Sequence, residues 1–187
     1  MNVSSFSRSG LKRLGVAAAG CCLGMSLAFA GPEEDNARAK MEFERGDLVA
    51  SLSLWRKAAE AGYAPSQVWL GDILDKAEED VEAAEWYQKA ADQGSADGEY
   101  GLGQMYLKGE GVKKDVEQGL RYIERAAAKN HVDSVKMMMA AYRQGGMGLP
   151  VDHSQADTWE TKLMAIVPGY VKPATQIDGK KPKGTSK

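Results

Sequence analysis

Leu102-Gly103-Gln104-Met105-Tyr106-Leu107-Lys108-Gly109-Glu110-Gly111-Val112-Lys113-Lys114-Asp115 leads into Gly119, Tyr122 and then Arg125-Ala126-Ala127-Ala128-Lys129-Asn130. This stretch decides the fold because the chain writes it more than once. Tyr106 returns as Tyr142, 36 residues on. Gly119, Tyr122 and Arg125 return as Ala156, Trp159 and Lys162, each shifted by 37. The extra residue falls in a glycine-rich loop, where the run from Gly145 to Asp152 answers the run from Gly109 to Asp115. Upstream, Leu70-Gly71 with Leu74 shares the spacing of Leu102-Gly103 with Tyr106. Tyr87-Gln88-Lys89-Ala90-Ala91 and Trp55-Arg56-Lys57-Ala58-Ala59 close helical stretches as Arg125-Ala126-Ala127 does, ending in Gly94 and Gly62. Self-similarity at such a period marks a stack of supersecondary units, each unable to bury its apolar face alone.

The repeated positions have physical roles. Ala-Ala pairs and Gly71 or Gly103 carry almost no side chain, so two helices can approach closely there. Gly62 and Gly94 stand where a helix must end in the left-handed conformation, and Asn130, the next-best residue for it, stands at the third such site. Asp47, Asp115 and Asp152 are expected helix N-caps, and Gln118 and Gln155 complete capping boxes for the last two. In the second unit Leu74 to Trp86 is only 12 residues, and Glu78, Glu79 and Asp80 replace the glycine turn, with Asp80 as the expected N-cap. The pattern predicts an all-α array of about four helix-turn-helix repeats, at 33–62, 64–94, 96–130 and 132–165. The helical pattern stops at Pro168. The segment 166–187, with Lys180, Lys181, Lys183 and Lys187 among Gly, Pro, Thr and Ser, reads as a disordered basic tail.

The first thirty residues are set apart. Arg8, Lys12 and Arg13 form a basic start with no acid, Leu14 to Phe29 is apolar or small, and Ala28-Phe29-Ala30 precedes Gly31-Pro32. This is the pattern of a cleaved secretory signal over 1–30. An uncleaved anchor and lipidation at Cys21, in Ala18-Ala19-Gly20-Cys21, are the alternatives. Both cysteines, Cys21 and Cys22, lie in this leader, so the processed chain has no disulfide, thiol nucleophile or cysteine metal site. The chain has 24 Lys and Arg, three of them in the leader, against 26 Asp and Glu, so the processed chain carries a net charge of −5. That balance argues against nucleic-acid binding.

Leu-Gly-x-x-Tyr, Gly-x-Gly-Val-x-x-Asp and an aromatic before (Lys/Arg)-Ala-Ala resemble the Sel-one-like (Sel1-like) repeat, a relative of the tetratricopeptide repeat. The third repeat matches nearly throughout, at Leu102, Gly103, Tyr106, Gly109, Gly111, Val112, Asp115, Tyr122, Arg125, Ala126 and Ala127. The resemblance implies a right-handed α-solenoid whose first helices (A) line a concave groove, with the second helices (B) outside. It implies an adaptor that binds another protein, and for an exported bacterial member a role in envelope assembly, regulation of cell-wall enzymes or toxin immunity. Carried onto this chain, the inner-face positions are Val68, Asp72, Asp75 and Lys76, then Asp97, Tyr100, Gln104 and Lys108, then Asp133, Lys136, Arg143 and Gln144. The expectation is a polar groove centred on Tyr100, acidic at the second repeat and basic at the fourth, against the plainer reading of a solvated helix face. Trp69, at a variable position, is either an exposed anchor or a side chain packed on the first repeat. Met137, Met138 and Met139 are core or contact surface.

Chemistry finds little support in the residues. The two histidines, His131 and His153, lack metal-ligand spacing, so no metal or cofactor is expected. Asp152-His153-Ser154 are adjacent on a helix start and do not face one another. The acidic clusters at Glu33-Glu34-Asp35 and Glu78-Glu79-Asp80 precede helices, where acids suit the dipole. No Gly-Lys-Ser/Thr follows the loop glycines. The expectation is therefore a non-enzymatic periplasmic or secreted binding protein, with no membrane span after signal removal. A cell-wall hydrolase and a glycan-binding module are the alternatives; the latter requires Trp69 and Tyr100 to be exposed together.

Overall fold

A computed structural model describes residues 31–172; the leader 1–30, with Cys21, and the tail from residue 173 lie outside the described residues. Eight helices follow in order: α1 (Pro32–Glu44), α2 (Leu48–Glu60), α3 (Ala64–Lys76), α4 (Asp80–Asp92), α5 (Ala96–Lys108), α6 (Val116–Ala128), α7 (Val132–Gln144) and α8 (His153–Ile166). Each packs on the next, and α3 also reaches α5, so the chain is an all-α repeat solenoid with α1, α3, α5 and α7 as its A helices.

The ends of the helices repeat one device. Gly62 donates its N–H to Ala59 O and Tyr63 to Ala58 O; Gly94 and Ser95, then Asn130 and His131, repeat this pair on Ala91 with Ala90 and on Ala127 with Ala126. The pair satisfies carbonyls that a helix end leaves orphaned. It needs φ near +60 to +90°, and Gly62, Gly94 and Asn130 stand at 88, 82 and 68°. The same turn joins the helices within the first repeat through Gly46 and within the second through Glu78, a non-glycine residue at φ 62°.

The caps differ in part from expectation. Asp47, Asp115 and Asp152 each accept the backbone N–H three residues on. Asp80 does not cap α4: Glu79 holds that position without a side-chain bond, and Asp80 is the first helical residue. In the equivalent turn of the first repeat the residue after the left-handed position is the cap, Asp47 after Gly46; here that residue is Glu79, so Asp80 falls inside the helix. The capping boxes are also half-formed. The backbone N–H of Asp115 and Asp152 is donated to Tyr106 O and Tyr142 O, so Gln118 and Gln155 have nothing to return to.

Between helices the small residues do the expected work. A Cβ on Gly98 would stand 2.6 Å from the Ala90 methyl, and one on Gly103 2.9 Å from the Ile123 side chain. The core runs through Trp55, Leu70, Leu102, Met105, Ile123, Met138 and Leu163, all essentially fully buried. Met138 is therefore core, while Met137 and Met139 are half-buried against the same cluster.

A buried polar position recurs beneath the first three B helices. Asp35, Gln67 and Glu99 are 32 residues apart and almost inaccessible. Lys57 reaches Asp35 at 2.7 Å, and Arg125 and Lys129 reach Glu99 at 2.5 and 2.8 Å. Gln67 instead donates to Ala59 O and accepts from Gln93. Each locks an A helix to a B helix with a partner that only a buried polar group can supply.

Candidate functional site

The A helices α3 and α5 bring seven of the expected inner-face residues together, while Lys108 and the four expected on α7 stand outside the pocket these form. Val68, Trp69, Asp72, Asp75 and Lys76 of α3 meet Asp97, Tyr100, Gly101 and Gln104 of α5 around one pocket of about 440 Å³, which Tyr87 and His131 complete. Helical spacing explains the set: residues three or four apart share a face, so 68, 72, 75 and 76 line one wall and 97, 100, 101 and 104 the other.

The floor is Tyr87, which the sequence did not mark as a groove residue. It stands on a B helix, yet its ring passes between α3 and α5 because both present glycine to it. A Cβ on Gly101 would lie 2.5 Å from the ring, and one on Gly71 2.8 Å. The Tyr87 hydroxyl donates to Asp72 Oδ1 at 2.7 Å. Burial, reinforced by Asp72, pushes the Tyr87 phenol well above its ordinary range. Burial likewise raises the Asp72 carboxyl. The Tyr87 bond and Lys76 oppose that shift, and Asp75 and Asp97 add to it.

His131 is the second residue missed. It caps α7, its Nδ1 accepting the Ser134 N–H at 3.2 Å, while its Nε2 faces Asp97 at 3.3 Å. An imidazole whose Nδ1 accepts carries its proton on Nε2, which then donates to Asp97. That bond holds the Asp97 carboxyl below its ordinary value. The His131 ring lies 4.6 Å from that of Tyr100. Burial raises the Tyr100 phenol, with Asp133 adding to it. The signal for His131 was its place at the start of an A helix, equivalent to the cap Ser95.

Trp69 packs on the first repeat: its ring stacks on Trp55 at 4.9 Å, with Phe43 at 6.0 Å. It remains half-buried and lines both the main pocket and a smaller one. Lys108 lies off the main pocket, bonded to Glu110 at 2.8 Å beside Asp75, Glu78 and Asp80. Lys136 pairs with Asp133 at 3.0 Å, and Gln144 is exposed. Arg143 reaches the buried carboxylate of Glu160 at 3.3 Å, which Lys172 and Tyr170 also contact. The basic end of the expected gradient is thus matched by its own acids, whereas the main pocket keeps three carboxylates, Asp72, Asp75 and Asp97, against one ammonium, Lys76.

Among the described residues no group of three His, Cys, Asp or Glu could hold a metal ion, and no helix is long and apolar enough to cross a membrane.

The profile of the Sel1 repeat family matches residues 43–63, 66–95 and 96–131. An uncharacterised protein of Neisseria meningitidis serogroup B is 28% identical over 110 residues, 59% of this chain and 23% of its own length. Chitin synthase regulatory factor 3 of Schizosaccharomyces pombe is 31% identical over 134 residues, 68% of this chain and 14% of its own length. The chain thus spans less than a quarter of either relative. A protective antigen present in uropathogenic Escherichia coli strains, described as displaying an SLR fold, superposes with a TM-score of 0.65 at 28% identity, over 73% of this chain and 31% of that one.

Proposed function

This chain is a Sel1-like repeat protein, and from that premise we propose that it is an exported, non-enzymatic adaptor of the bacterial envelope that holds another protein against its concave face. Proteins of this repeat generally serve as protein-interaction scaffolds. The observation that carries the reading is the pocket at Asp72, Asp97 and Tyr100, which draws its walls from two A helices and the cap of a third. A surface composed across repeats suits a partner that runs along the array rather than a small molecule held in one unit. The leader, basic then apolar and ending Ala28-Phe29-Ala30, supports delivery to the periplasm or beyond. Envelope assembly and neutralisation of a secreted toxin (an immunity role) are the pathways this location suits.

The test is an affinity pull-down from cell envelope with chain beginning at Gly31, together with fractionation of the native protein. One dominant protein at near-stoichiometric yield, from periplasmic material, is the expected result. A folded sample that retains no protein refutes the adaptor reading. The second reading, a glycan-binding module, is favoured by one observation: Trp69 and Tyr100 line the same pocket. Trp55 covers one face of Trp69, which leaves less aromatic surface for a sugar to stack on. Retention on peptidoglycan, abolished by Tyr100→Ala, would favour it.

A further inference from the structure

The main pocket has an apolar neighbour. Phe43, Leu48, Leu52 and Ile73 enclose about 190 Å³ beside it, and Trp69, Asp72 and Lys76 line both spaces. Phe43 and Leu48 are exposed at 40 and 56%, and Phe43 packs on the stacked Trp55 and Trp69 rings. A dry cavity of about 150 Å³ admits a benzene ring, so this one accommodates a single large apolar side chain. To the shared Asp72 and Lys76 the main pocket adds Asp75 and Asp97, so it holds three carboxylates with Lys76 the sole ammonium. Burial raises the Asp72 carboxyl, so its charge is poorly solvated there, and a cation would relieve that cost.

Resting on the adaptor reading, we infer that the concave face recognises a polypeptide segment carrying a large apolar side chain next to an arginine or lysine, the first seated between α1, α2 and α3 and the second between α3 and α5. The two pockets adjoin, so a single segment spans them. Charge complementarity selects the cation: an acidic segment would meet three carboxylates and gain one ammonium. An arginine suits the acidic pocket better than lysine, since its planar fork bonds a carboxylate in two places.

The experiment is selection of a randomised twelve-residue peptide display library on the protein from Gly31 onward, followed by titration of the best synthetic peptide. The expected consensus pairs one of Leu, Met, Phe or Trp with Arg or Lys at fixed spacing. Asp72→Asn, which still accepts the Tyr87 hydrogen bond, weakens that peptide about tenfold or more, as expected for a charge-assisted contact. Leu48→Glu places a carboxylate at the apolar rim and in the first turn of α2, where the helix dipole tolerates it; it abolishes the apolar preference. A consensus without a basic residue, or one indifferent to Asp72→Asn, overturns the inference while leaving an adaptor. So does displacement of the selected peptide by a synthetic copy of residues 173–187, which would assign the acidic wall to the chain's own lysine-rich tail. No enrichment, with a stable complex still recovered from cell envelope, removes the pocket pair but keeps the adaptor; failure of both removes both.

Discussion

Replacing Gly101 by alanine sets two known effects against each other, and the structure decides which wins. In an exposed helix interior the change would stabilise by about 1 kcal/mol, because alanine has the higher helix propensity. At Gly101 the new methyl would lie 2.5, 2.6 and 2.8 Å from three atoms of the Tyr87 ring. That ring is 4% exposed, backed by Gly71 on its other side, and fixed at its hydroxyl by Asp72. The one open direction is into the pocket it floors, and moving there breaks the Asp72 bond and draws the ring out of its slot between α3 and α5. Overpacking of this kind costs about 1–3 kcal/mol, and the lost Tyr87–Asp72 bond adds about 1 kcal/mol. The net expectation is destabilisation of about 1–3 kcal/mol, a fall of roughly 3–10 °C in melting temperature for a domain of this size. Urea unfolding followed by circular dichroism measures it. Tyr87→Leu in the same background should recover part of the loss, since the two changes share one contact. A Gly101→Ala protein as stable as the parent, or more so, would refute the argument that this glycine is there to admit the ring.

Three further expectations follow from buried charge and backbone conformation. Arg125→Met with Lys129→Met leaves Glu99 inaccessible and without either cation, which costs about 3–5 kcal/mol, and adding Glu99→Gln should restore most of it in the same unfolding assay. The Asp72 carboxyl has a folded-state pKa raised above 3.8, so the folded chain binds the proton more tightly than the unfolded one. Its charge therefore destabilises the fold as pH rises through that window. Asp72→Asn should match the parent in acid and be the more stable at neutral pH; a gap that narrows as pH rises would contradict this. Glu78→Gly removes a non-glycine residue from φ 62° and should raise stability by about 0.5–1 kcal/mol, read as a higher melting temperature.

Local chemistry made much of the array legible without coordinates. Helix ends were readable at Gly62, Gly94 and Asn130 because a left-handed terminal residue is a property of the backbone and shows in residue type. Close crossings were readable at Gly71, Gly103 and the alanine pairs because lack of a side chain is itself the signal. The inner-face residues of α3 and α5 came from the resemblance to the tetratricopeptide repeat, and of these Val68, Asp72, Asp75, Lys76, Asp97, Tyr100 and Gln104 line one pocket, which Trp69 borders as well. The Asp80 cap failed because a one-residue shift in a turn moves the cap to Glu79, and residue preference cannot fix a register that closely.

What the sequence by itself determined was the repeat and its period, which depend on residue types at short, recurring spacings. Only the tertiary structure decided which side chains meet across helices. Tyr87 belongs to the groove because Gly71 and Gly101, from different helices, leave a slot for it. His131 belongs because stacking brings the start of α7 against Asp97 and Tyr100. Arg143 is tied inward because Glu160, 17 residues later, returns beside it. Such meetings depend on how successive repeats pack, a quantity set by the sum of many side-chain volumes rather than by any one residue.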